Sequence, residues 1–158
     1  MAMTAALMMS GSVAQAQDVN IGRSNITLTS DLMTPETLWA MGRIGAAQAS
    51  PDGKKIVYQV GYYSVKENKG HQVLRVMDAD GKNDRLLTTS AKSEGDAAWL
   101  DNNTLAFLTG GQLWTMNADG TNRKQLTHSD IDIEGFRFSP DRKRVVLIKS
   151  IPYYGTIK

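Results

Sequence analysis

The residues with most potential for chemistry are carboxylates grouped around glycine. Residues 78–83 read Asp-Ala-Asp-Gly-Lys-Asn, which resembles the start of a calcium-binding loop. Such a loop needs glycine at its sixth position and glutamate at its twelfth, and this segment has neither. Asp-Gly is also a strong signal for a tight hairpin turn, because glycine readily adopts the positive φ angle that the turn requires. We therefore interpret Asp80 and Gly81 as turn residues and predict no metal site.

Other residue types that support catalysis or metal binding are few. The two histidines, His71 and His128, lie beside loop signals without a carboxylate or cysteine at metal-ligand spacing, so we predict surface polar residues. Cysteine is absent, which excludes disulfides and thiolate chemistry. No Gly-x-Ser-x-Gly segment occurs, so a serine nucleophile elbow is not visible. We predict no catalytic, cofactor-binding or metal-binding residue in this chain.

Aromatic side chains fall at positions that favour packing over ligand stacking. Trp99, Phe107 and Trp114 lie in strand-like segments, so we predict that they pack between neighbouring sheets. Two tyrosine pairs, at 62–63 and 153–154, fit either a channel wall or a loop.

A repeat provides the scaffold that must position all these residues. Residues 74–88 recur as residues 113–127 without a gap, and the two copies share Leu, Met, Ala, Asp, Gly, Asn, Leu and Thr. The offset is constant at 120 − 81 = 39. A period near 40 residues with Asp-Gly between β-type runs is typical of stacked sheet units.

A second turn signal divides each unit further. Ser-Pro-Asp-Gly at 50–53 returns as Ser-Pro-Asp-Arg at 139–142, and a degenerate copy surrounds Asp101. Each unit therefore contains four antiparallel strands, and the second unit predicts strands at 96–100, 104–109, 112–117 and 124–127. Four strands in about 40 residues form one blade of a β-propeller. We predict an all-β fold, a partial β-propeller with full blades at 44–90 and 94–129 and the start of a third at 133–158.

A short helix is predicted before the first blade. Thr34 can cap it, Pro35 suits the first helical position, and Glu36 favours the positive end of the helix dipole. Gly42 is predicted at the left-handed position after the helix. We expect the apolar side chains at 38, 39 and 41 to dock this helix on the following strands within a leader at 17–43.

The first sixteen residues predict export. They carry no charge, include an apolar run and close on Val-Ala-Gln-Ala, a pattern that signal peptidase accepts, although a preceding basic residue is missing. We predict a signal peptide at 1–16 and a mature start at Gln17, the alternative being a short buried helix. The net charge of +2 gives no reason to expect a nucleic acid partner, and no membrane span is predicted in the mature chain.

The blade count predicts that more of the protein exists elsewhere. Propellers close with at least four blades, and an open array exposes sheet edges and an apolar blade face. Since the sequence provides two blades and the start of a third, we expect a chain that has been cut within the propeller.

These residues carry a family resemblance. Ser-Pro-Asp-Gly-Lys-Lys-Ile-Val-Tyr at 50–58, Leu-x-x-Met-Asp-Ala-Asp-Gly at 74–81 and Gln-Leu-Thr at 125–127 resemble the repeat of TolB-type periplasmic propellers. They also resemble the N-terminal propeller of prolyl-oligopeptidase-family serine peptidases, especially bacterial dipeptidyl and acylaminoacyl peptidases. The leader at 33–43 is similar to the start of those peptidases.

The peptidase resemblance implies a propeller that gates an α/β-hydrolase domain, in which the catalytic serine, aspartate and histidine lie. Because that domain would follow the residues present here, the chain alone is expected to be inert, with peptide substrate and the hydrolase domain as its partners. Two alternatives remain: a non-enzymatic TolB-like propeller that binds other envelope proteins, and a short protein that completes its propeller by oligomerising.

Overall fold

Three antiparallel sheets follow one another along the chain. The structure, a computed structural model, describes residues 21–23, 27 and 31–151. Strands β1 to β4 form the first sheet in sequence order, β5 to β8 the second, and β9 pairs with β10 in a third. The elements are α1 Pro35–Ala40, β1 Arg43–Ala49, β2 Lys55–Ser64, β3 Lys69–Asp78, β4 Arg85–Leu86, β5 Glu94–Trp99, β6 Thr104–Thr109, β7 Gln112–Asn117, β8 Lys124–Gln125, β9 Gly135–Phe138 and β10 Val145–Ile148.

This architecture confirms the predicted fold class, a partial propeller of two four-stranded units and the start of a third after a short helix. In the second sheet, β6 and β7 have the predicted bounds, β5 begins two residues earlier, and β8 is shorter than predicted. The signal peptide at 1–16 and the tyrosines at 153–154 lie outside the described residues, and the domain boundaries stay a prediction.

The turns between first and second strands are built from the same side chains in the first and third sheets. Ser50 Oγ donates to Asp52 Oδ1 at 2.6 Å and accepts the N–H of Lys55 at 3.0 Å. Ser139, Asp141 and Arg144 make the equivalent contacts at 2.5 and 3.0 Å. This recurrence explains the Ser-Pro-Asp signal, because serine and aspartate together satisfy the turn backbone.

The Asp-Gly hairpin turns have the predicted backbone. Gly81 and Gly120, at equivalent positions of the two copies, have φ angles of +82° and +86°. Residues with a side chain rarely adopt this backbone conformation, whereas glycine does so without a steric penalty.

The apolar core lies between the sheets. One cluster joins side chains of the first sheet, including Val57 and Leu74, to Trp99 and Phe107 of the second, with Trp114 packed against it. A second cluster places Phe136 of the third sheet against the second. The prediction that the three aromatic residues pack between sheets is confirmed. Burial on both faces also explains the weak apolar–polar alternation of the strands.

The helix begins as predicted and ends differently. Thr34 Oγ1 accepts the N–H of Thr37 at 3.2 Å, and Pro35 occupies the first turn. The prediction of a left-handed Gly42 is wrong, because the chain leaves the helix in an extended conformation at Met41. Close approach explains the glycine instead: a Cβ at Gly42 would lie 2.8 Å from the Tyr62 ring.

The helix docks through one aromatic contact and stays partly exposed. The Trp39 ring lies 4.9 Å from that of Tyr63 at the end of β2, and the Arg43 guanidinium lies 4.8 Å from the Trp39 ring. Leu38 and Met41 remain almost half exposed, so the expected docking through all three apolar side chains is only partial.

Candidate functional site

The two histidines have different environments. His128 is exposed, as predicted, but His71 is buried with 6% of its surface accessible. Its Nδ1 lies 2.7 Å from the Ile21 carbonyl oxygen and its Nε2 lies 3.4 Å from that of Lys92. The prediction of a surface His71 is wrong, because the ring connects β3 to two main-chain segments that are distant in sequence. Its role is to hold those segments together.

The carboxylates at the turns are already used by the fold. Seven aspartates have a pKa below the ordinary value, and in each the first cause is a hydrogen bond that stabilises the carboxylate; they are Asp52, Asp78, Asp80, Asp84, Asp101, Asp119 and Asp141. In the calcium-like segment, Asp78 Oδ2 accepts from Asn83 and Asp80 Oδ1 accepts the Lys82 N–H. No group of three His, Cys, Asp or Glu side chains suited to a metal occurs within the described ranges.

An ion pair lies on the surface of the first sheet. Arg75 donates from Nη2 to Asp84 Oδ2 at 2.7 Å and from Nε to Oδ1 at 3.1 Å. The hydrogen bond from Arg75 lowers the pKa of Asp84, and the same bond raises the pKa of Arg75. The hydroxyl of Tyr58 donates to Asp84 Oδ1 at 2.7 Å, and burial is the first cause of its raised pKa. All three groups are bound to one another, so this cluster stabilises the sheet.

A buried ion pair within the second sheet unit contacts the end of the first unit, because Thr88 Oγ1 binds Glu94 and the Leu87 carbonyl oxygen accepts from Arg123. Glu94 has no accessible surface; it accepts hydrogen bonds from Thr88 Oγ1 at 2.9 Å and from Arg123 Nη2. The Arg123 guanidinium also lies 4.8 Å from the Phe107 ring. Sequence reasoning missed this pair, because the equivalent of Glu94 one repeat later is apolar and nothing periodic marks it. A lone glutamate before an apolar strand was the one available signal.

A polar cleft of about 360 Å³ opens between the first two sheets. Gln59 and Gln72 of the first sheet face β5 and the β6–β7 turn of the second, and the lining residues are Gln59, Gln72, Ser93, Gly95, Asp96, Leu108, Thr109, Gly110, Gly111 and Glu134. The volume lies in the range of small-ligand sites. None of these residues was singled out from the sequence as a candidate, because glutamine and threonine in strands carry no motif. Only their placement on neighbouring sheets brings them together.

Two curated proteins are similar in sequence to most of this chain. The chain is 35% identical over 130 residues to a dipeptidyl-peptidase 5 from Porphyromonas endodontalis, covering 79% of this chain and 19% of that protein. It is 40% identical over 132 residues to the dipeptidyl-peptidase 5 from Porphyromonas gingivalis, covering 80% of this chain and 19% of that protein. The predicted resemblance to a peptidase-family propeller region is confirmed. The chain spans about a fifth of the length of these curated relatives. The sequence matches no protein-family profile.

Solved structures support the same fold. A Pyrococcus horikoshii acylaminoacyl peptidase aligns with a TM-score of 0.55 at 12% identity, over 70% of this chain and 18% of that chain. An oligogalacturonate lyase in complex with manganese aligns with a TM-score of 0.54 at 19% identity, over 70% of this chain and 35% of that chain. At such low sequence identity, the two alignments support the propeller-type fold and nothing further. Within the described residues, no helix has the length and apolar character needed to cross a membrane.

Proposed function

We propose that this chain is propeller sequence of an exported serine peptidase that hydrolyses oligopeptides. The observation that carries the proposal is the 35–40% identity to dipeptidyl-peptidase 5 proteins over about four fifths of the chain. The same match favours a peptidase over the TolB-like alternative. In this proposal the catalytic serine, aspartate and histidine lie in an α/β-hydrolase domain elsewhere in a longer polypeptide, and the propeller limits which peptides reach them.

The catalytic part of the proposal is tested by comparing two polypeptides. The 158-residue chain and the longer product proposed to contain it are purified and assayed with a dipeptidyl p-nitroanilide. We expect release of nitroaniline only by the longer product, with loss of activity after treatment with a serine-directed organophosphate. A folded longer product without such activity would overturn the proposal.

The gating role is tested with substrates that share one cleavable end. Peptides of increasing length, and a folded protein with the same N-terminal sequence, are compared by kcat/KM. We expect kcat/KM to fall sharply above a limiting size, because a propeller admits only chains that fit its opening. Equal values for the short peptide and the folded protein would remove the gating role and leave the peptidase assignment intact.

The export part rests on residues 1–16. N-terminal sequencing of the protein secreted from a bacterial host is expected to begin at Gln17. Retention in the cytoplasm with an intact N-terminus would contradict it.

A further inference from the structure

The cleft between the first two sheets contains a buried polar atom that the fold leaves unpaired. In the part of the chain that the structure describes, Thr109 Oγ1 is inaccessible and has no hydrogen-bond partner. A buried hydroxyl without a partner destabilises a protein, and such groups call for an explanation in a ligand, an ion or a water. Thr109 lines the cleft, and rotation of its side chain about χ1 is the motion that would bring the hydroxyl into contact with a ligand there.

Two side-chain amides of the first sheet also offer free hydrogen-bonding groups. Among the described residues, Gln72 makes no side-chain hydrogen bond, and Gln59 uses only its carbonyl oxygen, which accepts the Asp96 N–H at 3.3 Å. The two carbonyl oxygens converge on Gly95, where an added Cβ would lie 2.9 Å from Gln59 Oε1 and 3.2 Å from Gln72 Oε1. The absence of a side chain at Gly95 therefore keeps the floor of the cleft open.

The opposite wall also contains glycine. Gly111 follows β6, and a Cβ there would collide with the carboxylate of Asp132, so this position of the turn has no room for a side chain. Leu108 gives the wall an apolar portion beside Thr109. The cleft thus combines open backbone, one apolar surface and several groups that both donate and accept.

The charge of the lining limits the ligand. Asp96 and Glu134 line the cleft, Glu134 accepts a hydrogen bond from Ser150 at 2.8 Å, and Asp96 makes no ion pair within the described ranges. Among the described residues, no lysine or arginine is part of the lining itself, but Lys92 Nζ lies 3.5 Å from the position that a Cβ of Gly110 would take. Two carboxylates with one nearby ammonium group favour a neutral ligand over an anionic one.

We propose that this cleft binds the main chain of an extended peptide through Thr109, Gln59 and Gln72. A peptide backbone alternates N–H donors and C=O acceptors, and the hydroxyl and amide groups of the cleft can satisfy both. The peptide identity of the ligand rests on the proposed function, and the cleft adds to it a place where the propeller contacts substrate.

The decisive experiment uses the 158-residue chain and N-acetyl-tetraalanine amide, a neutral peptide, in an NMR titration. We expect the side-chain amide signals of Gln59 and Gln72 to shift with peptide. Thr109→Val keeps the shape and removes the unpaired hydroxyl, so we expect unchanged or higher thermal stability and peptide binding weaker by about three- to tenfold. Thr115→Val, at a half-buried threonine of the same sheet outside the cleft, is the matched control and should bind as the wild type does.

Each outcome bears on the inference. Equal binding by wild type and Thr109→Val, or shifts caused by trigalacturonate and not by the peptide, would overturn it. Gln72→Ala changes an exposed side chain and provides a second test should Thr109→Val fail to fold; it too should weaken binding. If the chain binds the peptide but the longer polypeptide is inactive, the cleft proposal is supported and the peptidase proposal is contradicted. An active peptidase without peptide binding here would reject the cleft alone.

Discussion

In both repeat copies, a threonine hydroxyl forms a hydrogen bond with the main chain of the third strand. Thr88, after β4, accepts the N–H of Leu74 with its hydroxyl at 2.8 Å. Thr127, after β8, accepts the N–H of Leu113 at 2.9 Å. The shared threonine of the repeat is thus explained by a hydrogen bond from a main-chain N–H of the third strand to its hydroxyl.

The copies differ in what the same hydroxyl then contacts. Thr88 donates to the buried carboxylate of Glu94 at 2.9 Å, whereas Thr127 donates to the amide oxygen of Gln112 at 2.9 Å. The offset of 39 places Ile133, which is buried, at the position of Glu94. We call residues 88–94 the first joint and residues 127–133 the second joint.

The same threonine-to-backbone hydrogen bond thus occurs beside a buried charged residue, Glu94, in the first joint and beside a buried apolar residue, Ile133, in the second. In the first joint the charge of Glu94 is compensated by Arg123, which lies in the second copy. The equivalent of Arg123 in the first copy is Asp84, whose ion pair with Arg75 is on the surface. A buried pair depends on both partners, because an unpaired buried charge is much more costly than an exposed one. The first joint should therefore be the more sensitive to single substitutions.

The largest effect is expected for Arg123→Ala. It leaves Glu94 buried without its cation, so we expect a loss of about 3–5 kcal/mol in the free energy of unfolding, measured by urea denaturation. The matched change at the side chain that binds the second joint, Gln112→Ala, removes three neutral hydrogen bonds of a half-buried amide and should cost about 1–2 kcal/mol. Equal losses at the two joints would show that the charge of the first joint carries no special weight.

The turn glycines give the next largest effect. Gly120→Val should destabilise by about 1–3 kcal/mol, because a β-branched residue resists a positive φ. Gly81→Val meets the same strain with no atom within 4 Å of the added Cβ, and the Cβ at Gly120 lies at an ordinary contact distance of 3.7 Å from Leu87. Thermal denaturation should therefore show losses of similar size for the two variants. A clearly larger loss for one of them would show that its surroundings, and not the turn conformation alone, determine the cost.

Local signals in the sequence were sufficient for the scaffold and insufficient for the contacts between sheets. The Asp-Gly turns and the helix cap at Thr34 depend on a few consecutive residues, so they could be predicted. His71 and Glu94 are buried by segments that are distant in sequence, so nothing adjacent to them signalled it. Gly42 shows the same limit: its neighbour Tyr62 lies twenty residues away in the chain. The cleft could not be predicted, because it exists only where sheets meet.

A smaller effect is expected for the exposed ion pair of the first copy. Because the pKa of Asp84 is lowered in the folded protein, its carboxylate contributes stability above the unfolded pKa, ordinarily 3.8, and this is lost as pH falls through the folded pKa. The Asp84 side chain is 38% exposed, so solvent limits the contribution to a few tenths of a kcal/mol. Asp84→Asn should lose less stability than the wild type between about pH 5 and about pH 2. Unchanged acid sensitivity in urea titrations would contradict this, and Arg75→Met is the control that removes the same pair.

A net effect near zero is expected when Glu94 of the first joint and its partner Arg123 are replaced together. Glu94→Ile with Arg123→Met gives the first joint the isoleucine that the second already has, and leaves no buried charge unpaired. Replacement of a buried ion pair by apolar residues of similar volume is often neutral, so we expect stability within about 1 kcal/mol of the wild type in urea denaturation. Recovery relative to Arg123→Ala would show that the cost of the single substitution is the stranded carboxylate. A double variant as unstable as Arg123→Ala would instead mean that Thr88 and the Phe107 ring require the charged pair, and that the two joints are not interchangeable.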